Sequence, residues 1–252
     1  TIIKNVTVNI SELNSIDLSA YSSINIGFFA LYNNGIVTNC AVSYESLSSG
    51  EASYDRSTVI NGVEIETVST MKTLEIKTTA NIGGTDTDLT IGAFVLDNNG
   101  DITNSRVGED NNAFIQLKVK GSVAGFAYTN SGHIASSFVS NLFVYNTNPS
   151  ATDSKTAGFV VRNQGEIMSS YVKGGFTLEN YRSKYGALIS NGNIGGFVYE
   201  NNGDISDSYS NITLSSNART GGFVFSNESG GTIKTSYSAS KILTNSALHM
   251  PF

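Results

Sequence analysis

The chain has 252 residues, of which only 14% are charged, and its 15 basic residues are scattered singly against a net charge of -6. Without a basic stripe to neutralise phosphates, nucleic acid is not an expected partner. The single cysteine, Cys40, excludes an intrachain disulfide framework and a four-cysteine metal site. No apolar run approaches the roughly 20 residues needed to span a bilayer, so we expect no membrane insertion by this segment.

The first residues resemble the middle of a repeat. Residues 3–8 match residues 37–42 in their alternation of apolar and polar side chains. The chain is therefore expected to begin partway through a repeat, as a fragment of a longer chain with flanking domains, because a repeat array needs covered ends.

One motif then recurs six times, at unequal spacing. It runs from Phe through a short apolar stretch to Asn, Gly, a branched apolar residue and finally a small residue. Such recurrence indicates fixed strands joined by loops of variable length. The phenylalanines are Phe29, Phe94, Phe126, Phe159, Phe197 and Phe223, and the asparagines are Asn33, Asn98, Asn130, Asn163, Asn201 and Asn227. The glycines are Gly35, Gly100, Gly132, Gly165, Gly203 and a delayed Gly231, and the small residues are Cys40, Ser105, Ser137, Ser170, Ser208 and Ser236.

Each motif residue has a physical reason in a stack of coils. Phenylalanine fills an apolar interior, and asparagine can stack amide on amide along the axis. Glycine is expected to supply a positive φ at a tight corner, and small serine or cysteine fits where the interior narrows. Cys40 is therefore interpreted as a small core residue and not as a nucleophile.

A third apolar stretch ends each copy, so each coil is expected to have three short strands. The predicted fold is all-β, a parallel β-solenoid (β-helix) of about six to eight coils in which identical positions form ladders. Residues 1–252 form a single domain in this interpretation. The third stretches lie at 114–119, 142–145, 176–178, 212–214 and 242–243.

An insertion interrupts the first coil at residues 44–72. Asn61 and Gly62 lie between apolar residues within 59–65, which is a strong hairpin signal. We predict a projecting hairpin, with a degenerate extra coil as the alternative.

One outward-facing column offers a candidate ligand-binding surface. The residue after each small core residue must face outward if its two neighbours face inward. Four successive members are aromatic, which suits a sugar or another protein, although the rings can also serve only to stabilise the sheet. The column is Ala41, Arg106, Phe138, Tyr171, Tyr209 and Tyr237.

A second candidate is the longest loop before a motif phenylalanine, at residues 179–195. Its aromatic and basic side chains, Tyr181, Arg182, Lys184 and Tyr185, suit an acidic glycan or a partner protein. The alternative is an ordinary solvated loop.

The residues give no catalytic constellation. His133 falls in a turn column with Asp101, Glu166 and Asp204, and no His-Glu-x-x-His, P-loop or Gly-x-Ser-x-Gly motif is present. Asp97 and Asp101 lie in a coil separated by two others from that of Glu200 and Asp204, too far apart for a paired-carboxylate hydrolase. We therefore expect no enzyme, no cofactor and no metal site.

The segment 195–209 resembles the GLUG-motif repeats of bacterial exported proteins, including large adhesins and the accessory regions of immunoglobulin-A-specific peptidases. Phe stands where the GLUG motif usually has Leu, and the peptidase motif of those proteins is absent. The resemblance implies an extracellular or cell-surface location and an adhesive role, with a host glycan or a host or bacterial surface protein as partner. Alternatives are an accessory solenoid of an exported peptidase or toxin, and a phage tailspike-like solenoid that cleaves glycans.

Overall fold

The described part of the chain is built from β-strands alone. The computed structural model describes residues 1–10, 16–18, 21, 23–44, 58–60, 63–65, 72–77, 88–108, 115–147, 154–174, 176–177, 182–183 and 186–244. In chain order the strands are β1 (Ile2–Lys4), β2 (Thr7–Ile10), β3 (Ile16–Asp17), β4 (Ser23–Gly27), β5 (Ala30–Asn33), β6 (Ile36–Thr38), β7 (Ala41–Tyr44), β8 (Thr58–Ile60), β9 (Val63–Ile65), β10 (Lys72–Lys77), β11 (Asp88–Gly92), β12 (Val95–Asn98), β13 (Asp101–Thr103), β14 (Arg106–Val107), β15 (Ile115–Val119), β16 (Ser122–Ala124), β17 (Ala127–Asn130), β18 (His133–Ala135), β19 (Phe138–Ser140), β20 (Leu142–Asn146), β21 (Lys155–Ala157), β22 (Val160–Asn163), β23 (Glu166–Met168), β24 (Tyr171–Gly174), β25 (Phe176–Thr177), β26 (Arg182–Ser183), β27 (Ala187–Ser190), β28 (Asn193–Gly195), β29 (Val198–Asn201), β30 (Asp204–Ser206), β31 (Tyr209–Ser216), β32 (Thr220–Gly221), β33 (Val224–Asn227), β34 (Thr232–Lys234), β35 (Tyr237–Ser238) and β36 (Lys241–Thr244).

Four parallel sheets, here called faces I to IV, run along the stack. Face I is β4-β11-β16-β21-β28-β32, and face II is β5-β12-β17-β22-β29-β33. Face III is β1-β6-β13-β18-β23-β30-β34. Face IV has 13 strands, because the long strand β31 belongs both to the row β2-β7-β14-β19-β24-β31-β35 and to the row β3-β10-β15-β20-β27-β31-β36.

The parallel β-solenoid predicted from the sequence is confirmed, but the prediction of three strands per coil is wrong. A coil such as β11 to β15 contains five short strands, one each in faces I to III and two in face IV. In each coil, the segment predicted as the second strand is divided into two strands by a residue with positive φ, such as Asn104 between β13 and β14. The face I strands lie in the segments that the sequence analysis assigned to loops before each phenylalanine.

The first strands confirm the partial repeat at the start of the described chain. Ile3 pairs with Val37 and Val8 pairs with Val42, both in parallel register. Six coils with a motif phenylalanine follow this partial coil.

The core is organised around the column of motif phenylalanines. Phe94, Phe126, Phe159 and Phe197 are fully buried, and adjacent rings stack with centroids 4.6 to 4.9 Å apart. Backbone bonds reinforce the stack, since the Phe94 amide donates to the Phe126 carbonyl at 2.8 Å. Stacked rings at this spacing combine apolar burial with a favourable aromatic contact.

The asparagines form the continuous amide ladder that the motif predicts. Asn98 donates from Nδ2 to Oδ1 of Asn130 at 2.8 Å, and Asn130 donates in turn to Asn163 at 2.9 Å. The same bond joins every adjacent pair from Asn33 to Asn227. Because the central amides are buried, loss of one of these hydrogen bonds leaves a buried polar group that cannot bond to water instead, which destabilises the fold.

The serines form a second buried ladder. The hydroxyl of Ser137 accepts from the Ser105 amide at 3.1 Å and donates to the Ala135 carbonyl at 2.9 Å. Cys40 takes the corresponding place in the first coil, buried and with its thiol 3.4 Å from the Thr38 carbonyl, so it is a small core residue as expected.

The positive φ predicted for the motif glycines belongs to another column. Among the described residues, six with positive φ stand directly before a small core residue, one in each coil, and no motif glycine has a positive φ. Glycine is needed instead because the preceding coil approaches closely: a Cβ on Gly165 would lie 2.0 Å from the Gly132 carbonyl oxygen. The six residues of this left-handed column are Asn39, Asn104, Ser136, Ser169, Asp207 and Thr235, while Asn5, Asn141 and Gly108 have positive φ at other positions.

Two insertions meet in a separate four-stranded sheet, here called the lateral sheet. The antiparallel pairing of β8 with β9 confirms the hairpin within 44–72, and Asn61 and Gly62 themselves lie outside the described residues. The lateral sheet order is β25-β26-β9-β8, so the hairpin pairs with an insertion in a later coil. The assignment of residues 176–178 to a coil strand was wrong: β25 belongs to the lateral sheet, and β27 is the coil strand.

Replacing Gly165 with alanine tests the close approach of coils. The added methyl group meets backbone that cannot move independently, so we expect the free energy of unfolding to fall by about 1–3 kcal/mol or more. Gly222→Ala is the matched control, because its Cβ would meet only side-chain atoms, Ser238 Oγ at 3.3 Å and Ile242 Cδ1 at 3.6 Å, and no backbone. Urea denaturation of both variants measures the difference, and equal stability of the two contradicts this account of the glycine column.

Candidate functional site

The structure places the predicted aromatic column on the outside of face IV. Phe138 pairs with Tyr171, Tyr171 with Tyr209, and Tyr209 with Tyr237, each one coil apart. The core neighbours Val139 and Val172 point inward and are buried, which explains the outward direction of the rings. The register that the sequence predicts is therefore correct along the whole column.

The four rings form one parallel stack. Their centroids are separated by 4.9, 4.9 and 5.3 Å, and adjacent planes are within 9° of parallel. Phe138, Tyr171 and Tyr209 are half-buried, and Tyr237 is 59% exposed. The column ends toward the N-terminus at half-buried Arg106 and buried Ala41, so the aromatic part covers four coils only.

The second predicted site falls largely outside the described residues. Tyr181, Lys184 and Tyr185 are not described, and Arg182 lies in β26 of the lateral sheet. The loop at 179–195 is shorter than predicted, because β27 and β28 take residues 187–190 and 193–195 into the coil.

The polar column on face III brings together residues from four coils. Asp101, His133, Glu166 and Asp204 are successive register partners, and His133 Nε2 lies 3.8 Å from Glu166 Oε2. Two coils separate Asp101 from Asp204, as the sequence analysis proposed. The groups are exposed or half-buried on a regular sheet and not enclosed in a cleft.

Neither a metal cluster nor a membrane-spanning helix is found in the part of the chain that the structure describes. No three His, Cys, Asp or Glu side chains there converge to hold an ion. No helix in those residues is long and apolar enough to cross a membrane.

A second row of outward rings, on face II, was missed by the sequence analysis. Tyr128, Tyr199 and Phe225 each stand two residues after a motif phenylalanine, and this alternation is the signal that could have found them. Tyr199 stacks on Phe225 at 4.6 Å and packs with Ala124 and Ala157 of face I in a small apolar cluster outside the main core. A cation lies over each ring: Arg162 over Tyr128, Lys155 over Tyr199 and Arg219 over Phe225.

Burial changes the acidity of Tyr199. Its side chain is only 4% exposed, and desolvation raises the pKa of the phenol above its usual value of 10.0. A weaker opposing effect comes from Asn193, whose Nδ2 donates to the hydroxyl at 3.4 Å. The Tyr199 side chain is thus neutral and buried, and its ring is not an exposed surface on which a ligand could stack.

Comparison of the chain with protein-family models, with curated proteins and with solved structures finds no significant match. The resemblance to GLUG-motif repeats therefore stays a prediction.

The raised pKa of Tyr199 predicts a pH-dependent loss of stability. The folded state holds the neutral phenol, so its contribution is complete below pH 10 and is lost as pH rises toward the folded pKa. Urea unfolding of the parent and of Tyr199→Phe between pH 9 and pH 11 measures it: the parent should lose more stability than the variant. Tyr237→Phe controls for removal of a hydroxyl from an exposed ring, and a pH-independent difference between Tyr199→Phe and parent contradicts the desolvation account.

Proposed function

We propose that this chain is a non-catalytic β-solenoid segment of a bacterial surface or secreted protein, serving both as a stalk and as an adhesive surface. Its partner in this proposal is a host glycan or a surface protein outside the cell. The proposal extends the resemblance to exported GLUG-motif proteins with the geometry of the described coils.

The observation that carries the proposal is the aromatic stack of Phe138, Tyr171, Tyr209 and Tyr237. The buried ladders inside the solenoid fix the backbone of every coil, so the rings are held at a repeated spacing. Binding therefore does not cost the conformational entropy of ordering a loop. Because the rings stack on one another, they present mainly their edges, with the tyrosine hydroxyl groups beside them, which suits sugars and protein side chains alike. The stalk role follows from the same ladders, which join each coil only to its neighbours.

A glycan-cleaving solenoid is the second candidate. It is favoured by Glu166 and Asp204, which are direct register partners, so that their Cα atoms lie about 4.8 Å apart. Retaining glycosidases place their two carboxyl groups about 5–5.5 Å apart. The exposed setting on face III and the contact of Glu166 with His133 favour a solvated column instead.

The double variant Tyr171→Ser with Tyr209→Ser tests the adhesive surface. We expect binding to a mammalian glycan array, or to cultured epithelial cells, to fall at least tenfold, because two adjacent contact rings are removed. Circular dichroism should show the fold retained, and Tyr32→Ser, which removes a 61% exposed tyrosine outside the column, should bind as the parent does.

Two outcomes contradict the proposal. Unfolding of the double variant assigns the rings to sheet stability alone. The parent protein could also release reducing sugar ends from the array glycans. If Glu166→Gln abolishes that release, the protein is a glycan-cleaving enzyme and not an adhesive segment.

A further inference from the structure

The corner between faces II and III is longer in the last coil than in the five before it. Gly231 comes four residues after Asn227, whereas Gly203 comes two residues after Asn201. The two extra residues make a β-turn, in which the Gly231 amide donates to the Glu228 carbonyl at 2.9 Å. The amide of Gly230 donates to Oδ1 of Asn202 in the preceding coil at 3.2 Å, which fixes the turn.

Glu228 and Ser229 of this turn form one end of a groove in an otherwise regular surface. The groove has a volume of about 570 Å³, within the usual range for small-ligand sites, and it crosses three consecutive coils. Its principal lining residues are Lys155, Arg162, Gln164, Glu200, Asn202 and Glu228.

Arg162 is held so that part of its guanidinium stays available. Its Nε donates to Glu200 at 3.3 Å, and its Cζ lies 5.9 Å from the centre of the Tyr128 ring. The side chain is 47% exposed, and its two terminal amino groups have no partner among the described residues. Lys155 Nζ contacts the same Glu200 carboxylate at 2.6 Å, so this one acid pairs with two cations. The two terminal amino groups of Arg162 can therefore still bind an anion in a bidentate manner.

The neighbouring amides present hydrogen-bond donors to the groove. Asn202 uses Oδ1 to accept from Gly230, and Gln164 uses Oε1 to accept from the Ser131 hydroxyl. Their amino groups are therefore the atoms left for a ligand. Glu228 accepts from Ser226 through Oε1 and keeps its second oxygen as an acceptor for a hydroxyl group.

We propose that this groove binds an acidic oligosaccharide. The Arg162 fork takes the sugar carboxylate, the amino groups of Gln164 and Asn202 donate to ring substituents, and Glu228 accepts from a hydroxyl. A peptide fits less well, because the Tyr199 ring under Lys155 is buried and, among the described residues, no large apolar side chain lines the groove. The groove lies on face II and on the corner between faces II and III, with Lys155 contributed by face I. It is apart from the aromatic stack of face IV and does not depend on that stack.

Isothermal titration with 3′-sialyllactose and with a hyaluronan tetrasaccharide tests the proposal, with lactose as the neutral control. We expect at least one acidic sugar to bind and lactose not to bind. Arg162→Gln should weaken that binding by tenfold to a hundredfold, as for loss of a charged hydrogen bond. Arg219→Gln is the matched control, since Arg219 also lies over a ring but does not line the groove, and it should change the affinity less than twofold.

Deleting Ser229 and Gly230 gives an independent test. The deletion restores the corner spacing of the other coils and removes this end of the groove, so the acidic sugar should no longer bind while the thermal midpoint is kept. The Tyr171→Ser, Tyr209→Ser double variant should bind the acidic sugar as the parent does, which separates this site from the adhesive stack.

The proposal is overturned if neither acidic sugar binds the parent at millimolar concentration, if lactose binds equally well, or if Arg162→Gln and the deletion both bind as the parent does. Binding of a hexaglutamate peptide in preference to both sugars assigns the groove to an acidic protein segment instead.

Discussion

Parallel pairing of each strand with its counterpart one coil away, in register, is the constraint on which the other features depend. Strands in a sheet lie about 4.7–4.9 Å apart, so every side chain faces its equivalent in the next coil at that distance. The phenylalanine centroids follow this spacing at 4.6 to 4.9 Å, and the buried amide bonds measure 2.7 to 2.9 Å. The glycine column follows from it as well, since only a residue without Cβ tolerates a carbonyl oxygen so near.

The same constraint governs the surface. Outward positions form columns too, and these include the aromatic stack on face IV and the polar column on face III. A regular stack of such columns has shallow relief, so a concave site needs a break in the repeat. The extended corner at Gly230 provides one break, and the lateral sheet formed by two insertions provides another.

Much of this could be predicted from the sequence, because the ladder residues recur at fixed offsets from Phe to Asn to Ser. The face I strands were missed because stretches such as Asn193–Gly195 are short, end in glycine and carry no alternation. The lateral sheet depends on pairing between Ile65 and Ser183, which no local pattern encodes. The outward direction of Tyr209 followed from alternation, whereas the groove around Arg162 needs side chains from three coils; its one sequence signal was the delay of Gly231.

Disulfide trapping across the first insertion tests the register most directly. Thr38 and Thr103 are register partners 65 residues apart, and their hydroxyl oxygens lie 2.9 Å from each other. With Cys40 replaced by serine, Thr38→Cys with Thr103→Cys should form an intramolecular disulfide on mild oxidation, because partner Cα atoms about 4.8 Å apart suit that bond. Thr38→Cys with Ala135→Cys, two coils apart, should stay reduced by mass spectrometry. Equal cross-linking of both pairs, or of the second alone, would contradict the in-register stack.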